Sequence, residues 1–351
     1  INTYKAHPHP DLYKKENKLS KAHDLLSNPT GIFVEKGKEV MVLVGETNGL
    51  PLTARILNLN VPGEDGFSHN YSYNLKKGTN RFIADSDGLI YICYHTPDYQ
   101  TAPEITIHIP SGKVNGYFDS KIHDATEWKE LLDGAVAPHF DVLGKYTHLI
   151  FPVSSFKLYT PDGKALIDVY DDLVLAEQEF MGLKKYNRMN PNYVCFSVMY
   201  KAAGYMYAAE YHTGYIASEM NDLCSVEKMK SSVWGPAHEV GHTFQTKPGL
   251  CWLGMAEVTN NILALDVQTS FGLQSRLMGT PSNYTSLYEK GMSLLLPIEW
   301  PHVRKTPDGT GIDEWCQVVP FWQLHLYSQI EGNKDFYKDL FEKIRTTPDK
   351  D

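Results

Sequence analysis

Hydrophobic residues in the first third of the chain follow the two-residue period of β-strands. Ile105, Ile107 and Ile109 alternate with polar residues, so a strand here would turn all three toward one face. An apolar run at 39–44 and others like it are bounded by Gly and Asn turns. Short strands separated by such turns predict an antiparallel β-sandwich over residues 28–112.

Farther along the chain the apolar residues follow the 3.6-residue period of helices. The sequence predicts helices over residues 124–132, 171–185, 232–247, 251–270, 284–295, 313–331 and 335–345. Asp124 and Glu127 form a capping box at the start of the first of these helices. Residues 146–153 and 204–216 are predicted strands. The second strand suits a core position and also suits edge pairing with an extended peptide.

These patterns predict an α+β protein with an N-terminal antiparallel β-sandwich followed by a mostly helical domain. We divide the chain into a lead-in segment (1–27), the sandwich (28–112), a linker (113–125) and the helical catalytic domain (126–351). In the lead-in segment, His7 and His9 alternate with prolines, which is typical of a solvated tail and also permits weak metal binding.

Composition and charge exclude several classes of function. The net charge is −9 and no stripe of basic residues occurs, which argues against nucleic acid as a partner. No apolar run approaches ~18 residues, so no membrane span is expected. The five cysteines are scattered and indicate neither a disulfide framework nor a thiolate zinc site. The 22 tyrosines suit sugar or peptide binding, but ordinary packing explains them better.

The candidate chemistry lies in the run His238-Glu239-Val240-Gly241-His242. Pro236 suits the first turn of a helix, which places this run in the helix interior. His238 and His242 then lie one turn apart on the same face and can bind one cation. Glu239 can direct its carboxylate toward a metal-bound water. The pattern H-E-x-x-H is typical of zinc metallopeptidases.

A catalytic zinc ion needs a third protein ligand and an open fourth position. Glu257, on the next predicted helix, is the candidate ligand. Asn261 lies one turn beyond it and can accept a hydrogen bond from a ligating histidine. Two imidazoles and a carboxylate suit zinc better than other divalent ions.

The expected reaction is hydrolysis of a peptide bond by a zinc-bound water. Glu239 would take the proton of that water as general base and pass it to the leaving amine. A further side chain should stabilise the oxyanion. The candidates are Tyr288, His302, Arg304 and His325, and each of them also suits an ordinary structural role.

The residues around this site resemble the M60-like, enhancin-type metallopeptidases. The resemblance rests on Trp234-Gly235, Gln245 and the run Trp252-x-Gly254-Met255-x-Glu257-Val258-Thr259-Asn260-Asn261, together with the zinc motif. Upstream, residues 28–34, 78–80 and 88–92 resemble the β-domain of that family, and residues 126–129 and 137–138 resemble its linking region. The similarity therefore extends from about residue 28 to beyond residue 265.

The resemblance implies a gluzincin-type catalytic domain that holds one zinc ion through His238, His242 and Glu257, with Glu239 as acid and base. It further implies a secreted or cell-surface endopeptidase acting on O-glycosylated, mucin-like proteins. The chain begins at Ile1 without a signal peptide, which would already have been removed. We expect a monomer. The candidate substrate-binding residues are Trp234, Tyr211, Tyr215, Tyr288 and Arg304.

Two other functions compete with this interpretation. The β-domain and the abundant tyrosines also suit a glycan-binding or mucin-binding surface adhesin with a low-activity metal site. Intact Glu239 argues against that alternative. An aminopeptidase would need acidic residues placed to hold a substrate α-amine, and no exopeptidase signature of the G-x-M-E-N type occurs.

Overall fold

The computed structural model describes residues 1–60, 66–69, 71–200, 204–295 and 314–349. Within these ranges the N-terminal region forms two antiparallel sheets, with strand orders β1-β8-β3-β6 and β5-β4-β7-β2-β9. The strands are β1 (Asn2–Tyr4), β2 (Pro29–Val34), β3 (Glu39–Val44), β4 (Leu52–Leu57), β5 (Tyr71–Leu75), β6 (Gly78–Ile83), β7 (Gly88–Cys93), β8 (Ile105–His108) and β9 (Lys113–Val114).

The two sheets enclose one hydrophobic core. Val40 and Val42 alternate with more exposed residues on β3, and they pack in the same cluster as Ile56 and Ile90 of the other sheet. Ile105 and Ile107 are buried in this cluster, while Ile109 lies just beyond β8 and packs against it. The predicted β-sandwich is thus confirmed, because the two-residue period had marked the buried face correctly.

A further sheet follows the sandwich in the chain. Its order among the described strands is β10-β11-β12-β13-β15-β14, and it mixes parallel and antiparallel pairs. The strands are β10 (Phe118–Asp119), β11 (His139–Leu143), β12 (Thr147–Pro152), β13 (Val194–Met199), β14 (Met206–Ala209) and β15 (His212–Ile216). The single strand predicted at 204–216 is instead a hairpin that turns at Tyr211, whose φ is 74°.

The described residues also form eleven α-helices, which confirms the predicted α+β class. They are α1 (Pro10–Glu16), α2 (Trp128–Asp133), α3 (Val153–Tyr159), α4 (Gly163–Phe180), α5 (Met220–Leu223), α6 (Val226–Ser231), α7 (Trp234–Phe244), α8 (Ala256–Ser270), α9 (Leu287–Leu295), α10 (Glu314–Ile330) and α11 (Phe336–Thr346). The helix predicted over residues 171–185 was wrong at both ends, because α4 begins at Gly163 and ends at Phe180. The Asp162 carboxylate accepts from the Ala165 amide, 3.0 Å away, at an N-terminus that the prediction missed.

The chain divides into two compact units. The first contains residues 1–13, 22–171 and 191–229, and the second contains residues 14–21, 172–190 and 230–351. These units interleave along the chain, and the four-part domain division stays a prediction. The lead-in segment is not a solvated tail throughout, because β1 pairs with β8. No helix in the described residues is both long and apolar enough to cross a membrane.

Candidate metal centre

Helices α7 and α8 pack closely and present the candidate ligands. The two helices lie close together at Gly241, where a methyl group added to the Cα atom would lie 2.7 Å from the carbonyl oxygen of Asn260. Glycine at this position therefore lets the α7 backbone come near α8. Because His238 and His242 flank Gly241 on α7, this contact also sets how far their rings lie from Glu257 on α8.

Three candidate ligand atoms form a nearly equilateral triangle. The Nε2 atoms of His238 and His242 are 3.2 Å apart. The Oε2 atom of Glu257 lies 3.2 Å from the first nitrogen and 3.3 Å from the second. Ligands bound tetrahedrally to zinc at ~2.0–2.1 Å are about 3.3–3.4 Å from one another. The donor set and its spacing thus fit a zinc ion.

We expect Gly241→Ala to weaken both the fold and the metal centre. The added methyl group would meet the backbone oxygen of Asn260 at 2.7 Å, so α7 or α8 must shift. Overpacking costs about 1–3 kcal/mol. It outweighs the gain in helix propensity of roughly 1 kcal/mol. Chemical denaturation and zinc titration measure both effects.

The matched control is Gly134→Ala. Gly134 has a right-handed φ of −75°, and its added methyl group would have ordinary contacts at 3.5 Å and 3.6 Å. This variant should keep wild-type stability and zinc affinity. If Gly241→Ala also behaves as wild type, the close approach of α7 to α8 does not control the ligand geometry.

Asn261 fixes the orientation of the His238 ring. Its Nδ2 donates to the Glu257 carbonyl oxygen at 2.8 Å, so its Oδ1 faces His238 Nδ1 at 2.7 Å. Nδ1 therefore carries the proton, and Nε2 presents its lone pair toward the ligand triangle. This contact fits the acceptor role expected of Asn261, which stays a prediction.

Gln245 does the same for His242, a role that the sequence analysis missed. Its Oε1 accepts from His242 Nδ1 at 3.1 Å. Its Nε2 donates to the Ala256 carbonyl at 2.8 Å and to Thr259 Oγ1 at 2.7 Å, which fixes the amide. Gln245 stands three residues after His242, just past the end of α7, and that spacing was the available signal.

We expect Asn261→Ala to lower zinc affinity about 10–100-fold, the usual effect of losing a partner of a ligating histidine. Competition with a chromophoric chelator measures the affinity. The control is Gln268→Ala on the same helix, whose Oε1 accepts from the Arg276 amide at 2.9 Å. Equal zinc affinity for Asn261→Ala and Gln268→Ala would show that Asn261 does not orient His238.

Two carboxylates lie near the histidines, and their surroundings differ. Glu257 has a side chain that is 62% exposed, and the imidazoles of His238 and His242 beside it hold its pKa well below the ordinary range. Glu239 is 8% exposed, and burial raises its pKa despite the two imidazoles. One ligand atom each of Glu239, His238 and His242 lies within 4.8 Å of the others. The distances of 3.2 Å and 3.3 Å from Glu257 Oε2 to the two nitrogens suit a metal ligand, and the buried Glu239 is then the candidate base.

The end of α7 is held by a part of the chain far away in sequence. Ser20 Oγ donates to the His242 carbonyl, and the Ser20 amide donates to the Gln245 carbonyl at 2.8 Å. The Lys247 amide donates to the Lys18 carbonyl at 2.7 Å. Residues 18–20 therefore supply partners for the last turn of the helix that bears both histidines. Local sequence patterns do not predict such a contact.

Four of the five expected substrate-binding residues lie among the described residues, and they differ in burial and in the side chains that they contact. Trp234 begins α7, is 9% exposed, and contacts the Arg276 guanidinium, whose carbon is 5.1 Å from the ring centroid. Tyr288 is half-buried on α9. Arg304, expected to contact substrate, and His302, a candidate for oxyanion stabilisation, lie outside the described residues.

Tyr211 and Tyr215 belong to the first compact unit, not to the unit that contains α7 and α8. The Tyr211 hydroxyl donates to the Asp11 carboxylate at 3.1 Å. Tyr215 is completely buried and donates to Thr213 Oγ1, so its ring is not presented to a substrate. A period-two pattern does not reveal which tyrosines of a hairpin face the core.

His325 is packed among aromatic residues rather than presented to a ligand. Its ring is stacked 4.7 Å from Trp322 and lies 5.4 Å from Phe180. Burial lowers the pKa of its imidazole, which favours the neutral form. These contacts support the structural interpretation of His325 over oxyanion stabilisation.

A helix pair that presents two histidines and a carboxylate as third ligand, beside a buried glutamate, defines a metallopeptidase class of site. A family model described as peptidase M60, enhancin and enhancin-like matches residues 114–351. The chain therefore belongs to this peptidase family. A model of the N-terminal domain of M60-like peptidases matches residues 20–108. None of the curated proteins compared with the chain matches it.

Solved structures share the fold over nearly the whole chain. A metallopeptidase in complex with Tn antigen has 24% identity and a TM-score of 0.81, with 98% of this chain and 64% of that chain covered. A conserved protein of unknown function from Bacillus anthracis has 26% identity and a TM-score of 0.82, with 99% and 68% covered. The M60 catalytic domain of Clostridium perfringens ZmpC, in complex with sialyl T antigen, has 17% identity and a TM-score of 0.73, with 99% and 70% covered.

Proposed function

We propose that this protein is a secreted or cell-surface zinc endopeptidase that hydrolyses peptide bonds in O-glycosylated, mucin-like proteins. The observation that carries the peptidase proposal is the triangle formed by His238, His242 and Glu257, with its 3.2–3.3 Å edges, beside the buried carboxylate of Glu239. Membership in the M60 family supports it independently.

A zinc ion held by this triangle would supply a Lewis acid that polarises a carbonyl and makes water a nucleophile near neutral pH. The protein residues orient the ligands and transfer the protons. Asn261 and Gln245 keep the protons of both imidazoles on Nδ1, so both Nε2 atoms stay available as ligands. The Glu239 carboxylate takes the proton of the attacking water and delivers it to the leaving amine nitrogen.

Burial makes Glu239 suitable for both proton transfers. Its raised pKa makes the carboxylate a stronger base than an exposed glutamate, and the resulting acid remains able to protonate an amine. Glu257 has the opposite electrostatic setting, because its lowered pKa keeps it ionised and available as a ligand. The two carboxylates therefore suit different roles in one centre.

The choice of substrate rests on the relatives. One structural neighbour is a metallopeptidase bound to Tn antigen and another is an M60 domain bound to sialyl T antigen. Both ligands are glycans, so we extend glycoprotein recognition to this chain as part of the proposal. The net charge of −9 gives no support for nucleic acid as an alternative partner. We propose that the enzyme acts as a monomer.

Incubation with a mucin and with a defined set of O-glycopeptides tests the proposal. We expect cleavage in the presence of zinc, none with a chelator, and recovery when zinc is added back. Mass spectrometry of the products gives the cleavage position and the dependence on the glycan. Intact substrates at full zinc occupancy would contradict the proposal. Glycan binding without cleavage of any glycopeptide would favour the adhesin alternative.

A further inference from the structure

A second group of metal-ligating side chains lies in the first compact unit. Asp24, His148 and Cys195 each offer one ligand atom, and these three atoms lie within 4.8 Å of one another. The residues are 0%, 0% and 1% exposed, respectively. None of them belongs to the catalytic centre, and the proposed peptidase mechanism does not use them.

The fold brings these residues together from three separate segments. His148 on β12 and Cys195 on β13 are register partners on adjacent parallel strands, so their side chains lie on the same face of the sheet. The Asp24 amide donates to the Tyr193 carbonyl at 2.9 Å, which holds residue 24 beside the start of β13. Two of the ligands thus stand on strands of a buried sheet, where they are held rigidly.

The surroundings of His148 are those of a ligating imidazole. Its Nδ1 faces Asp24 Oδ2 at 2.8 Å, and its Nε2 lies 2.8 Å from Asp141 Oδ1. The Tyr91 hydroxyl donates to the same Asp141 oxygen at 2.7 Å and fixes that carboxylate. Histidines that bind metals usually donate their second ring N–H to an acceptor of this kind. Asp141 therefore holds Nε2–H, whereas Nδ1 is hydrogen-bonded to Asp24 Oδ2, and a cation would replace the proton between those two atoms.

One polar atom in the same cluster, Asp141 Oδ2, is buried and has no hydrogen-bond partner among the described residues. Buried polar atoms nearly always have a partner, and an exception often marks the position of a bound water or ion. Asp141 lies on the Nε2 side of the His148 ring, so this oxygen is not a ligand of an ion at Nδ1, but its buried negative charge favours a cation in the cluster.

We propose that Asp24, His148 and Cys195 supply three ligands of a second metal ion buried in the first compact unit, and that the ion is zinc. A carboxylate oxygen, an imidazole nitrogen and a thiolate sulfur are all ligands that zinc accepts. The site adds one ion to the single zinc proposed for the catalytic centre. The scattered cysteines gave no sign of it, because Cys195 meets its fellow ligands only in the folded chain.

The charges balance when the ion binds. Without it, an imidazolium of His148 lies between the carboxylates of Asp24 and Asp141, and Cys195 is a neutral thiol, so the net charge is −1. Binding of one divalent ion releases one proton from His148 Nδ1 and one from Cys195 Sγ. The net charge stays −1, so binding adds no uncompensated charge to the buried cluster.

Metal analysis of a protein without catalytic ligands tests the site directly. The variant His238→Ala/His242→Ala should retain one zinc ion per chain after dialysis. Adding Cys195→Ala should remove that ion. Adding Cys224→Ala, which removes another buried cysteine of the same unit, should leave it in place. No retained metal in the double variant would overturn the proposal and show that His148 is only a protonated partner of two carboxylates.

Cobalt substitution gives a second readout that needs no variant to fold. In the wild-type protein loaded with Co²⁺, we expect the charge-transfer absorption that only a thiolate ligand produces. The catalytic set of two histidines and a glutamate cannot produce it. Cys195→Ser should abolish the band, whereas Cys224→Ser and Cys93→Ser should retain it. A wild-type spectrum without the band overturns the proposal, whether or not the peptidase is active.

Discussion

Glu239→Gln should lower the rate of glycopeptide cleavage by about 10²–10⁴-fold while the protein keeps its zinc. The amide has nearly the same shape as the carboxylate but cannot take a proton from water at neutral pH. Glu239 is 8% exposed and lies within 4.8 Å of the ligand atoms of both histidines, so the substitution acts where the proton must move. Steady-state kinetics together with metal analysis measure both parts of the prediction.

The control for this variant is Glu227→Gln on the exposed surface of α6, which should leave the rate unchanged. Two outcomes would contradict the assignment. Full activity of Glu239→Gln would show that another group takes the proton. Loss of zinc from Glu239→Gln would show that Glu239 is a ligand, and the roles of Glu239 and Glu257 would then have to be exchanged.

Glu257→Gln should remove the catalytic zinc and, with it, the activity. Its Oε2 atom lies 3.2 Å and 3.3 Å from the two Nε2 atoms, and we propose it as one of three protein ligands. We expect zinc affinity to fall by more than the ~10–100-fold that outer partners of the ligands usually contribute. The rate measured at limiting zinc should fall in parallel.

The free energy of unfolding gives a second measure of how much zinc binding Glu257→Gln loses. Zinc at a hundred times its Kd raises the free energy of unfolding by about 2.7 kcal/mol, because it binds only the folded protein. The wild type should show this gain from the catalytic centre, and Glu257→Gln should lose most of it. Glu331→Gln, an exposed carboxylate at the end of α10, is the matched control. A Glu257→Gln variant with wild-type zinc affinity would contradict the ligand assignment.

Local periodicity predicted much of the fold because burial on one face is visible in sequence. The alternation at Ile105 and Ile107 marked β8, and the 3.6-residue period marked α7 and α8 within a few residues of their ends. The start of α4 was missed because it depends on a single capping contact of Asp162, which periodicity does not record. The pairing of β10 to β15 into one mixed sheet joins segments that lie far apart in the chain.

The sequence by itself determined the pair His238 and His242, with Glu239 beside them, because four residues on a helix place two side chains on one face. It also indicated Glu257 and Asn261 as candidates. Only the tertiary structure decided how these groups meet. The 3.2–3.3 Å ligand triangle depends on the close packing of α7 on α8 at Gly241. Distances between helices are fixed by packing, which residue spacing does not encode.

Residue spacing reveals even less about the buried cluster of Asp24, Asp141, His148 and Cys195. No motif joins these residues, since the cluster draws on β11, β12, β13 and a segment near the N-terminus. The sequence determined a zinc-peptidase motif because its histidines and glutamate are neighbours on one helix. The tertiary structure alone decided the second set of ligands, because only the pairing of distant strands brings His148 and Cys195 together.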